Sequence, residues 1–126
     1  MSAERVVAFQ GMLGAFSHLA CRATHPDWTV LPCPTFDSVF DAVESGAAAR
    51  AVIPVENSQA GRVTDIHRLL PQRGLFIVGE HYQPIHHQLV AIPGTKLADV
   101  RTVRSHPQAL AQCREYLNAR NMEAVA

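Results

Sequence analysis

The sequence predicts an α/β fold, a parallel sheet flanked on both faces by helices. Three observations predict it. Short apolar runs of strand length alternate with stretches whose apolar residues recur at i, i+3, i+4 and i+7. Glycines and prolines punctuate the passages between them. Polar corners stand where strands give way to helices, as repeated βαβ units require.

Val6 to Phe9, just before Gly11, reads as the first buried strand, and Phe16, Leu19, Ala20 and Ala23 give the face of the helix after it. Trp28 to Leu31 reads as a second strand, closed by Pro32-Cys33-Pro34. Phe36, Val39, Phe40 and Val43 form the stripe of a second helix that stops at Gly46. Ala51 to Val55 is the third strand, and Val63, Ile66, Leu69 and Leu70 face the core from a third helix ending before Pro71 and Gly74. Crossovers of this kind are expected to be right-handed.

After Gly74 the pattern changes. "LFIVGEHYQPIHHQLVAIPG" reads as two extended segments broken near Gln83-Pro84, either a crossover into a second lobe or an antiparallel pair. A further βα unit follows, with a strand from Val100 to Arg104 and one helix from Pro107 to Arg120 whose packed face is Leu110, Cys113 and Leu117. "NMEAVA" opens another strand at the very end of the sequence, so the chain is expected to be part of a longer fold.

Composition narrows the partners. The 126 residues are 48% hydrophobic and 17% charged, with eleven acids against eleven Lys plus Arg. A balanced charge gives no footprint for nucleic acid or an anionic membrane. The three cysteines, Cys21, Cys33 and Cys113, have no CxxC spacing, which suits reduced thiols in a cytoplasm. The start lacks a basic segment followed by a long apolar run, and nothing approaches the roughly 18 to 20 apolar residues of a membrane span. His81, His86 and His87 fall on extended segments without HExxH or a Cys/His cluster, so no metal site is expected. His67 reads as a satisfied packing residue rather than a catalyst.

Three corners could carry chemistry. In "FQGMLGAFS", Gly11 and Gly14 permit either a tight turn or close approach to a ligand at the amides of the next helix. Glu56-Asn57-Ser58 offers either a helix cap beside a solvated acid or a set of donors and acceptors for a polar ligand, with Gly61 leaving room. In "RSHPQALAQC", Pro107 suits the first turn of a helix and Ser105 or His106 its cap, while Gln108 and Gln112 project from one face. Solvated glutamines and a ligand site both fit that spacing.

Taken together and in this order, "GMLGAFS", "IPVENSQAG" and "SHPQALAQC" resemble the signatures of the prephenate dehydratases, and "GRVTDIHRLLP" with "FQG" is similar to the bacterial branch of that family. The resemblance spans Val6 to Ala126. It implies a two-lobed fold similar to type II periplasmic binding proteins. Residues 1–77 would form the first lobe and 78–126 the truncated beginning of the second, with the active site in the cleft between them. It implies Glu56, Asn57, Ser105 and Gln112 as catalytic, and Ser58, Gly11, Gly14, Ser17, Gly61 and His106 as substrate-binding. The first loop departs from the family's Gly-Pro-x-Gly-Thr-Phe-Ser at Met12 and Ala15.

The implied reaction removes the ring hydroxyl of prephenate as water and its ring carboxylate as carbon dioxide. Aromatisation drives it, so no metal or redox cofactor is implied. Helix N-termini at Asn57-Ser58 and Ser105 would help hold the dianion, each contributing about 0.3 to 1 kcal/mol. The family's Thr-Arg-Phe motif, whose threonine is implied as the acid on the departing hydroxyl, has no counterpart up to Ala126, and neither has its phenylalanine-sensing ACT domain. The chain alone is therefore expected to be inactive or nearly so. A dimer or tetramer in the cytoplasm is implied for the complete protein. An arogenate dehydratase or a non-catalytic binding module of the same architecture are the alternatives.

Overall fold

The computed structural model describes residues 3–58 and 61–126. The chain divides into one unit up to Pro84 and a second from Ile85 to Ala126. In the first, β1 (Val6–Gln10) lies between β2 (Thr29–Cys33) and β3 (Arg50–Ala51), and both pairings are parallel. Val6 to Gln10 pair in register with Thr29 to Cys33, and Val7 and Ala8 with Arg50 and Ala51.

The alternation of β1 sends its side chains to opposite faces. Val7 and Phe9 pack with Cys21 of α1 (Phe16–Thr24), along with Trp28, Val30 and Val52. Ala8 packs on the other face with Val39 and Ala42 of α2 (Phe36–Glu44), and with Cys33 and Ala48. A sheet covered on both faces is the arrangement the alternating sequence predicts. The start of α2 is fixed by a capping box, in which Thr35 Oγ1 accepts from the Ser38 amide at 3.1 Å and Ser38 Oγ accepts from the Thr35 amide at 3.0 Å.

Two strands differ from expectation. β2 runs through Pro32 to Cys33 instead of stopping at Leu31, which an edge strand tolerates because its outer side forms no ladder. β3 is shorter than the apolar run 51–55. The Val52 amide still donates to the Ala8 carbonyl at 2.9 Å, but the next amide facing β1 would belong to Pro54, which has none. The ladder stops there, and the chain leaves the sheet.

Past that point β4 (Glu56–Asn57) and β5 (Gly61–Arg62) form a small antiparallel pair, followed by α3 (Thr64–Leu69) and a 3₁₀ turn over Leu70–Gln72. Ile66 and Leu69 of α3 pack with Phe40 of α2, joined by Phe36, Val63, Leu70 and Leu75. Arg73 fastens the far end of this layer. Its guanidinium bonds Glu44 at 2.9 Å and also Asp41, lies 3.6 Å from Asp37, and covers the Phe40 ring at 5.5 Å.

Residues 75–92 form neither strand nor helix, so the antiparallel alternative is not realised. A strand with one face buried hides alternate residues, yet the consecutive Phe76, Ile77 and Val78 are 90%, 75% and 77% exposed. In the second unit, β6 (Thr102–Arg104) pairs in parallel with β7 (Glu123–Val125), the strand expected of the closing "NMEAVA". The helix expected over 107–120 is instead α4 (Pro107–Gln112) and α5 (Arg114–Ala119), separated at Cys113, whose φ and ψ are −100° and 8°. The pinch is local, because the Cys113 amide still reaches the Ala109 carbonyl and the Leu117 amide the Cys113 carbonyl. Leu117 and Met122 are buried here.

Candidate active site

The corner after β1 closes on itself. The Gly11 amide donates to the Cys33 carbonyl at 3.0 Å and the Ala15 amide to the Met12 carbonyl at 3.1 Å. The Gly14 amide donates to Nδ1 of His18 at 2.8 Å, which requires that nitrogen to be unprotonated. His18 is held in place by stacking on Phe9, centroids 5.7 Å apart. These three amides are therefore engaged by the turn, β2 and α1 rather than offered to a ligand. With φ of +126° and +92°, Gly11 and Gly14 are needed for backbone conformation. Ser17, half-buried, stands in the first turn of α1.

The second corner is a hairpin, not a helix cap. Glu56 is in register with Arg62, and Asn57 with Gly61. Because α3 begins only at Thr64, with Val63 at its N-cap and no side-chain cap bond, neither Asn57 nor Ser58 caps it. The expected helix N-terminus at Asn57-Ser58 is accordingly absent, displaced by the pairing of β4 with β5. Glu56 and Ser58 are exposed, and Asn57 is half-buried. Gly61 has φ of +79°, and among the described residues beyond its chain neighbours nothing lies within 4 Å of a Cβ placed on it, so conformation rather than crowding requires a glycine. Opposed residues of an antiparallel pair share a face, which sets Arg62 beside Glu56.

The end of this hairpin is tied to α3. The Val55 carbonyl accepts the Val63 amide at 3.0 Å and lies 3.1 Å from His67 Nε2. The expectation that His67 is a satisfied residue is met, although its partner is backbone just before Glu56.

In the second unit, the Ser105 amide donates to the Val125 carbonyl at 3.2 Å and holds the exposed serine at the mouth of the turn after β6. His106 is the N-cap of α4, its Nδ1 accepting the Gln108 amide at 3.2 Å, and Pro107 takes the first helical position. Gln112, half-buried, ends α4. A rise of about 1.5 Å per residue sets it roughly 7 to 8 Å along the axis from Pro107. Its Oε1 lies 2.9 Å from Nε2 of His87.

Two of the thiols, Cys21 and Cys33, are poor nucleophiles. Burial pushes Cys21 up to about 11, and it also raises Cys33, against a hydrogen bond from Ser38 that pulls the other way. Among the described residues no three His, Cys, Asp or Glu side chains are grouped to hold a metal ion, and no helix is long and apolar enough to cross a membrane. Sequence reasoning missed His18, Arg62 and His87 as neighbours of the candidate site residues. Only His18, four residues after Gly14, has a spacing that could have signalled its contact.

A family model described as prephenate dehydratase matches residues 7–126. The chain is 52% identical over 125 residues to the bifunctional N-acyl-homoserine lactone acylase/prephenate dehydratase of Komagataeibacter europaeus, covering 99% of this chain and 44% of the relative. It is 47% identical over 107 residues to arogenate dehydratase 1 of Petunia hybrida, covering 85% of this chain and 25% of that one. Among solved structures, the prephenate dehydratase of Arthrobacter aurescens in complex with L-Phe superposes with a TM-score of 0.86 at 32% identity, over 95% of this chain and 41% of that one. The chain thus spans less than half the length of these relatives.

Proposed function

The chain belongs to the prephenate dehydratase family, and we propose that it supplies the N-terminal part of a lyase that converts prephenate to phenylpyruvate in phenylalanine biosynthesis. The observation that carries this reading is the family match over residues 7–126, which includes all three polar corners. The α/β fold with parallel strands flanked by helices agrees with it. In open α/β sheets, polar loops beyond the carboxyl ends of strands collect ligands, and the corners after β1 and β6 hold that topological position.

The reaction balances as follows. The C–C bond to the ring carboxylate breaks, its electron pair completes the aromatic ring, and the ring C–O bond breaks as the hydroxyl takes up one proton. Carbon dioxide, water and phenylpyruvate leave. The protein must hold a dianion in one pose and supply that proton. Asn57, Ser58, Ser105 and Gln112 are assigned to positioning and charge stabilisation, since amides and hydroxyls donate well to carboxylates. Glu56 is assigned to orienting a neighbour or sharing a proton with an acid supplied from beyond this chain. Gly11, Gly14, Ser17, Gly61 and His106 shape the surrounding turns. The complete protein is assigned to the cytoplasm, where Cys21, Cys33 and Cys113 remain thiols, and to a dimer or tetramer.

The experiment is direct. A protein that joins this chain to the rest of the family's catalytic region is mixed with prephenate, and phenylpyruvate is followed by its ultraviolet absorbance in alkali. Steady product formation is expected; binding without product would instead make this a binding module. Arogenate is tested in parallel, because the relatives include an arogenate dehydratase at 47% identity. Faster turnover of arogenate would reassign the substrate.

A further inference from the structure

We propose that His87 is a positioning residue that fixes the carboxamide of Gln112, so that its amino group is the half presented to substrate. The inference rests on the assignment of Gln112 to the substrate site. Its geometric basis is the 2.9 Å contact between His87 Nε2 and Gln112 Oε1, made across 25 residues of sequence within the second unit.

A carboxamide oxygen can only accept, so the imidazole nitrogen facing it carries the proton and donates. That bond has a chemical consequence. The terminal torsion of a glutamine is broad and roughly two-fold, so an unrestrained Gln112 would turn its oxygen or its nitrogen toward a ligand with similar ease. Carboxylates are acceptors only, and they would be repelled by Oε1. With Oε1 held by His87, the amino group is the half left to meet a substrate carboxylate. The ring donates whether it is neutral in the Nε2–H tautomer or doubly protonated, so the orientation survives protonation. The contact also joins the irregular stretch 85–92 to the last turn of α4 within the second unit.

Two measurements test this. In the 126-residue chain, nitrogen-15 NMR of the His87 ring is expected to give the Nε2–H tautomer, and Gln112→Ala is expected to relax that preference. An Nδ1–H tautomer in the wild-type chain would overturn the proposal whatever the enzyme does. In the longer protein described above, His87→Ala is expected to raise KM for prephenate and lower kcat/KM about three- to tenfold, the size of one lost hydrogen bond. His87→Gln, which retains an N–H donor at similar reach, is expected to recover most of the loss. The double variant His87→Ala/Gln112→Ala is expected to be no worse than Gln112→Ala alone. Losses that multiply, or a silent His87→Ala beside a damaged Gln112→Ala, would refute the positioning role. A silent Gln112→Ala would instead remove the site assignment on which the proposal stands.

Discussion

The Nε2 of His67 lies 3.1 Å from the carbonyl oxygen of Val55, which also accepts the Val63 amide at 3.0 Å. A carbonyl has two lone pairs, so both donors are accommodated at once. The result is a clasp at the open end of the hairpin carrying Glu56 and Asn57. Removing one exposed donor should leave the fold intact, with a cost of about 1 kcal/mol or less. His67→Ala is therefore expected to speed hydrogen exchange at the Val63 and Arg62 amides several-fold while the amides of β1 keep their protection. Unchanged exchange at Val63 would mean that the imidazole does not hold the clasp.

Arg73 gathers Asp37, Asp41 and Glu44 from one face of α2. Its hydrogen bond holds the Glu44 carboxyl below its ordinary value of 4.5, against a smaller opposing effect of burial. A carboxyl depressed in the folded state stabilises above its unfolded value, and that stabilisation is lost as pH falls through the lower folded value. Thermal melts are expected to weaken as pH drops below 4.5. Arg73→Met should lower the melting temperature by a few degrees at neutral pH and flatten this acid limb. Because the acids are exposed, salt should narrow the difference between variant and wild type.

His25 closes the C-terminus of α1, stacks edge-on against Trp28 with centroids 4.7 Å apart, and lies 3.4 Å from the Arg50 guanidinium. Burial first, and the Arg50 charge second, hold its pKa below the ordinary 6.5. The unfolded chain therefore binds a proton more readily near that pH, so stability is full above 6.5 and declines as pH falls below it. An NMR titration should place the His25 midpoint under 6.5, and Arg50→Gln should raise it only partway, because the larger cause remains. A full return to the ordinary value would assign the shift to charge alone.

The elements that periodicity governs were legible. β1 follows from a continuous apolar run buried on both faces, and α1 and α2 from apolar residues spaced for one buried face, and the structure buries Val7, Ala8, Phe9, Cys21, Val39 and Phe40 accordingly. The early end of β3 was encoded in Pro54, but the apolar run 51–55 outweighed a single missing amide. The pairing of Glu56-Asn57 with Gly61-Arg62 is two residues per strand, too short for alternation to register. Neither Gly nor Pro marks the pinch at Cys113, so one helix was the natural reading. At the candidate site, the residue identities came from the motifs, whereas the His87–Gln112 bond is tertiary across 25 positions and leaves no periodic trace.

Among the proposed site residues, Asn57 is the one whose role separates most cleanly from stability. It is half-buried and belongs to a short hairpin at the margin of the core, in neither of the clusters that cover the sheet faces. Replacing it with alanine removes one amide donor and one acceptor and leaves Phe9, Val39 and Ile66 in place. In the longer protein that carries this chain, Asn57→Ala is expected to lower turnover of prephenate by at least about tenfold, the effect of losing a group that holds or stabilises charge near the reacting bond. Circular dichroism and the melting transition should stay close to wild type. Normal turnover in a well-folded variant would withdraw Asn57 from the site. A tenfold loss accompanied by partial unfolding would reassign it to holding the hairpin, and Asn57→Asp separates these cases. The aspartate keeps the size and the acceptor but turns the donor into a negative charge, which a dianionic substrate should reject more strongly than alanine.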